Sequence, residues 1–194
     1  MGVFLYTGWH VTCYVDDSVS KQSSKTMPSL NTPRLVLRMP HVDDRNWIFA
    51  LNHDPLWLRY IGNRGVHTLK DANTYIDNAH THFATNGYGL FVIENKLDKR
   101  PLGLCGLINR GIFSSPDLGF ALLPEARGQG IGLEAGRGVI TFARDTLSLP
   151  YLTAMTHSEN TPSQTLLTRL GFTKRGTLFL PLVTPQRFYW LNLT

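Results

Sequence analysis

Two cysteines, Cys13 and Cys105, are all that 194 residues contain. They stand far apart in unlike surroundings, which argues against a disulfide framework or a cysteine-built metal site; two unpaired thiols fit a reducing, cytoplasmic setting. No apolar run is long enough to span a membrane, and no membrane association is expected. VFLY at residues 3–6 is apolar, but no basic segment precedes it and TGWH breaks it, so it does not read as an export signal. Myristoylation would need Ser or Thr at position 6, where this chain has Tyr6. Basic residues are never concentrated: nineteen Lys and Arg against fourteen Asp and Glu give a formal charge of +5. No five-residue basic run occurs, so direct nucleic-acid binding is not expected, and a diffuse positive charge suits a polyanionic small molecule.

With 42% hydrophobic and 17% charged residues, the chain suits one globular domain with a sizeable core. Residues 18–29 are rich in Ser and Lys and read as a flexible join. Residues 1–29 are therefore taken as an N-terminal extension and 30–194 as the domain. RLVLR at 34–38 alternates as a strand, and Asp43 and Asp44 are expected to cap a helix through Trp47, Ile48 and Leu51. Pro55 interrupts before a second helical turn at 56–60. Thr68 and Asp71 form a capping-box pattern for a helix carrying Ala72, Tyr75, Ile76, Ala79 and Phe83, ended by Gly87. Strands are read at 88–93, 102–108 and 117–123, a helix at 133–144, a strand at 151–156, a helix at 161–170, and strands at 173–180 and 188–193. The order is α+β.

The stretch DLGFALLPEARGQGIGLEA at 117–135 organises the rest. An apolar strand meets a glycine-dense turn that opens a helix, and the first N–H groups of a helix, unpaired and at the positive end of its dipole, form an anion site. GIGLEA at 130–135 matches the dinucleotide pattern G-x-G-x-x-A, but no acidic residue closes the next strand as that motif requires. The competing pattern, R-x-x-G-x-G, covers Arg127, Gly128, Gln129, Gly130, Ile131 and Gly132. With Pro124 and Glu125 before it, this phrase resembles the pyrophosphate loop of the GNAT acetyltransferase superfamily. A second phrase agrees: Asn160, Ser163, Leu170, Gly171 and Phe172 fit the family's N-x-x-S-x-x-x-x-x-x-L-G-F segment. Ser163, together with TPRLVLR at 32–38, is similar to the branch that acetylates ribosomal-protein N-termini and certain antibiotics and amines.

The resemblance spans about 32–193. It implies a single-domain acyl-CoA N-acyltransferase fold with a central mixed, mostly antiparallel, splayed sheet flanked by helices. It implies acetyl-CoA as co-substrate with no metal, a monomer or homodimer, and direct transfer of acetyl to a primary amine. The pyrophosphate would lie on residues 127–132 with Arg127 adding charge, and Asn160 would hold the pantetheine arm. A bulge in the preceding strand would offer the thioester a backbone N–H from Leu122 or Leu123. Asp117 matches a position where some members place the general base, with Glu94, His157 and Glu159 as rivals. The family's acidic Tyr is replaced by Leu167, and Ser163 is taken as the hydroxyl that meets the thiolate.

The acceptor side would be lined by residues 47–67 and 178–188, with Arg59, Arg64, Arg175 and Arg187 on or beside them but few acids, Asp54 among them. A cationic acceptor normally meets several carboxylates, so a peptide N-terminus or an amine bearing an anionic group is expected. A small-molecule acetyltransferase or a non-catalytic acyl-CoA sensor are the alternatives. His80 and His82 are spaced wrongly for paired ligands on one helix face, Cys105 reads as core, and Trp47, Trp57 and Tyr60 read as packing.

Overall fold

Alternation along each strand divides the apolar residues between two faces of one sheet, and that division builds the molecule. The computed structural model describes residues 29–179 and 184–194; Cys13 and the expected extension, Ser29 excepted, lie outside the described residues, as does position 180 of the predicted strand. The elements are β1 (Leu30–Asn31), β2 (Leu35–Arg38), α1 (Arg45–Asn52), α2 (Pro55–Tyr60), α3 (Leu69–Asn86), β3 (Leu90–Asn95), β4 (Pro101–Ile108), β5 (Asp117–Leu122), α4 (Ile131–Asp145), β6 (Tyr151–His157), α5 (Thr161–Arg169), β7 (Thr173–Leu178) and β8 (Gln186–Asn192). The strands form a single sheet in the order β1-β2-β3-β4-β5-β6-β8-β7. Every neighbouring pair is antiparallel except β5 and β6. The α+β, mixed and mostly antiparallel sheet read from the sequence is the sheet observed.

On one face Leu35, Leu37, Phe91, Ile93, Cys105, Leu107, Leu118, Leu152 and Ala154 meet Ala135, Val139, Phe142 and Ala143 of α4 and Leu167 of α5. On the other, Val92 and Leu104 meet Leu51 of α1 and Trp57 of α2. Trp57 is buried as expected, while Tyr60, at the end of the same helix, turns its ring to His157. The helix α3 is nucleated as its sequence predicts: Thr68 accepts from the Asp71 N–H, Asp71 answers at the Thr68 N–H, and Gly87 closes the helix in the left-handed region with φ 76°.

The cap expected from Asp43 and Asp44 takes another form. Residues Val42–Asp44 make a 3-10 turn capped by His41, and Asp44 gives α1 no side-chain cap bond. Its carboxylate instead accepts from Arg38 (2.8 and 2.9 Å), the His41 N–H (2.6 Å) and Trp47 Nε1 (2.8 Å). The half-buried Arg38 guanidinium points to the α1 side of the sheet, and a bidentate charge-assisted pair there outweighs one capping bond. Among the described residues no helix is long and apolar enough to cross a membrane.

Candidate active site

The sheet opens between β5 and β6. The Thr153 N–H reaches Pro116 O (3.2 Å), and Asp117 opposite Thr153 is the one registered pair between these two strands. Beyond it β5 stays bonded to β4 and β6 to β8 along their whole lengths, so the two halves of the sheet diverge and leave a wedge. The β4–β5 register runs unbroken from Gly103–Leu122 to Ile108–Asp117, so the splay occurs without the bulge implied by the resemblance. The Leu123 N–H is spent on Leu102 O (3.0 Å). Because backbone groups alternate along a strand, Leu122 therefore points its own N–H and C=O into the wedge. Of the two residues proposed to meet the thioester, Leu122 alone has a donor facing the gap.

At the mouth of the wedge the chain turns into α4. Gly130 caps that helix from the left-handed region (φ 75°) with no side-chain cap bond. The first bond into the helix is Glu134 N–H to Gly130 O at 3.1 Å, and no hydrogen bond among the described residues takes up the N–H groups of Gly128, Gln129, Gly130, Ile131 or Gly132. Such a row of open donors at a helix N-terminus fits a pyrophosphate. A Cβ on Gly128 would meet nothing within 4 Å, and one on Gly130 would meet only Arg34 Nη2, at 3.5 Å. Gly132 differs: its Cβ would come within 2.9 Å of Leu166 Cδ2, the tip of a side chain on α5. The acetyltransferase (GNAT) domain family matches residues 34–173.

The chain belongs to the GNAT acetyltransferases. It is 26% identical over 154 residues to the uncharacterized N-acetyltransferase YoaA of Bacillus subtilis strain 168, covering 78% of this chain and 86% of that protein. Its fold superposes on the ribosomal-protein-S5-alanine acetyltransferase of Vibrio fischeri with a TM-score of 0.72 at 19% identity, covering 85% and 97% of the two chains. A spermidine N-acetyltransferase of Vibrio cholerae, solved in complex with CoA and spermine, gives 0.70 at 20% identity, covering 82% and 96%.

In this GNAT domain the second cofactor phrase folds into the start of α5. Asn160 is the N-cap, its Oδ1 accepting from the Ser163 N–H at 3.2 Å, so its carbonyl oxygen is committed and its amide N–H₂ remains to donate. The Ser163 hydroxyl has no partner among the described hydrogen bonds. Leu167, where the family often carries a Tyr, is 1% exposed in the core. Arg127 is turned inward: Nε donates to Leu122 O (3.1 Å) and Nη2 to Asp54 Oδ1 (2.8 Å).

Asp117 lies at the foot of the wedge, 2% exposed. Its Oδ2 accepts from Arg110 Nε at 2.5 Å, and its Oδ1 accepts from the Thr153 hydroxyl. The rivals are placed less well. Glu94 is bonded to Arg38 (2.6 Å) beneath α1. Glu159 is exposed and paired with Arg59. His157 accepts the Glu159 N–H on Nδ1 (3.1 Å), which leaves the proton of a neutral ring on Nε2 and makes that nitrogen a donor.

Cys105 is fully buried, and burial pushes its thiol up to about 12, so it offers no thiolate at neutral pH. His80 bonds Pro40 O (2.7 Å) and His82 lies beside Asn86 (3.2 Å). Among the described residues no group of three or more His, Cys, Asp or Glu is arranged to hold a metal. Sequence reasoning missed Arg110, Thr153 and Arg34. Arg34 Nη1 reaches Gln129 O (3.2 Å) in the glycine loop while its Nε pairs with Glu134 (2.6 Å).

Proposed function

We propose that this GNAT acetyltransferase acetylates an amine whose own framework carries an anionic group, a peptide N-terminus or amino-acid-like amine rather than a polyamine. The observation that carries this reading is the charge distribution on the α1–α3 side of the wedge. Three acids that border the wedge are already matched by arginines: Asp117 by Arg110, Asp54 by Arg127, Glu159 by Arg59. Arg64, in the loop between α2 and α3, has no carboxylate partner among the described residues. Arg64 is exposed to solvent; the protein around it, and after that the like charge of Arg110, still hold its guanidinium below the ordinary arginine range. A polycation entering here would meet unpaired positive charge, whereas a carboxylate would relieve it.

Acetyl-CoA supplies an activated acetyl thioester, and the chain's own groups are suited to the rest. The Leu122 N–H donates where negative charge develops on the carbonyl oxygen. Asp117 takes the proton lost by the amine, through water and the lone pairs that Arg110 and Thr153 leave free. Ser163 provides a hydroxyl for the departing sulfur. The neutral Cys105 thiol lies in the core, which favours direct transfer over an acyl-cysteine. The test is a panel of Ala- and Ser-initiated peptides, free amino acids, spermidine and kanamycin at fixed acetyl-CoA, read by thiol release. Faster turnover of spermidine or kanamycin than of any peptide or amino acid overturns the reading.

A further inference from the structure

The six-residue helix α2 lies across the wedge and is fastened at both ends. At its start, Asp54 Oδ1 accepts the N–H groups of Leu56 (3.0 Å) and Trp57 (3.1 Å) and also Arg127 Nη2 (2.8 Å). The same guanidinium donates Nε to Leu122 O (3.1 Å), the carbonyl that the splay leaves without a strand partner. One side chain thus joins the end of β5, the first residue of the glycine loop and the cap of α2. At the other end, Arg59 pairs with Glu159 (3.1 Å) in the turn after β6, and the Tyr60 ring lies 5.5 Å from that of His157, the last residue of β6. The two fastenings differ. The Asp54 side chain is 8% exposed and Arg127 33%, whereas Arg59 and Glu159 are 59% and 63% exposed. Exposed pairs hold weakly, while a sheltered carboxylate shared by three donors holds its geometry.

We propose that Arg127 is a positioning residue that fastens α2 over the wedge and so couples the cofactor loop to the acceptor face, and that it is not a ligand of the pyrophosphate. This rests on the reading that the thioester arm enters the wedge. The planar guanidinium serves two acceptors lying in different directions, which a lysine ammonium on one stem would not reproduce. In this arrangement the acceptor meets a surface whose position is set from the cofactor loop, and linkage requires the coupling to run both ways.

Asp54→Ser and Arg127→Gln test it, because Ser is as good an N-cap as Asp while its shorter, neutral side chain gives up the charged oxygen that Arg127 Nη2 meets. Three measurements are made: CoA affinity by calorimetry, kcat and KM for the best acceptor, and hydrogen exchange at Leu58 and Ile61, whose N–H groups donate to Asp54 O (3.0 Å) and Trp57 O (2.8 Å). Both variants are expected to keep CoA affinity within about twofold, to lose about tenfold in acceptor kcat/KM, and to lose no more when combined, since they break one shared interaction. Exchange at both amides should quicken in the free protein. A loss of CoA affinity of about tenfold or more in Arg127→Gln alone would make Arg127 a phosphate ligand and overturn the proposal. So would unchanged exchange in both variants. The exchange measurement needs no ligand, so it tests the clamp even if the wild-type protein acetylates none of the amines offered, an outcome that would count against the transferase reading.

Discussion

Asp117→Asn separates chemistry from packing at the foot of the wedge. The carboxylate is 2% exposed, and its partner Arg110 retains 29% of its side-chain exposure. Removing one member of a buried pair costs about 3–5 kcal/mol. Here the remaining guanidinium can rehydrate and asparagine keeps an acceptor for Thr153, so about 2–3 kcal/mol is expected. For a domain of this size that lowers the melting temperature by about 4–12 °C. If Asp117 also takes the proton from the amine, kcat should fall by about 10²–10⁴-fold while CoA affinity stays unchanged, because neither Asp117 nor its partners Arg110 and Thr153 belong to the glycine loop. Melting curves, thiol release under saturating acetyl-CoA and CoA calorimetry on one preparation give all three numbers. Arg110→Gln is the control, since it removes the ion pair and keeps the carboxylate. A lower melting temperature with kcat within about threefold of wild type would leave Asp117 only a structural anchor for residues 109–116 and refute its assignment as base.

The glycines of the cofactor loop are expected to respond differently. Gly130→Val places a branched side chain at φ 75°, its Cβ 3.5 Å from Arg34 Nη2; it should weaken CoA by at least about tenfold at a strain cost of about 1–3 kcal/mol. Calorimetry giving wild-type affinity would remove the loop as the cofactor site. Gly132→Ala brings a Cβ within 2.9 Å of Leu166 Cδ2, the end of a part-exposed side chain free to swing aside, so the melt should change by no more than about 1 kcal/mol. Cys105→Ala should keep kcat within about twofold and lose about 1–2 kcal/mol of stability through the small cavity it leaves. Peptide mapping after iodoacetamide should find Cys105 unmodified in the native protein, and a drop in kcat beyond about tenfold would point back to a covalent route.

What the sequence determined by itself was whatever depends on neighbours along the chain. The capping box of Thr68 and Asp71, the stop at Gly87 and the glycine turn into α4 are written within a few residues each, because backbone torsion and helix-end hydrogen bonds are local. The phrases at 127–132 and 160–172 carried the family for the same reason. The tertiary structure decided which side chains meet. Asp44 was expected as a cap but serves Arg38, because β2 brings that guanidinium under α1. Arg127 reads as a phosphate contact in its motif, yet it bonds Asp54, 73 residues earlier. Asp117 was legible as the start of a strand, but its partners Arg110 and Thr153 come from a loop and from a strand 36 positions on. The wedge itself has no signature in any single segment. It exists because β5 is held by β4 and β6 by β8 while only one registered pair joins the two halves, a competition among strands settled by sheet order, which no local pattern records.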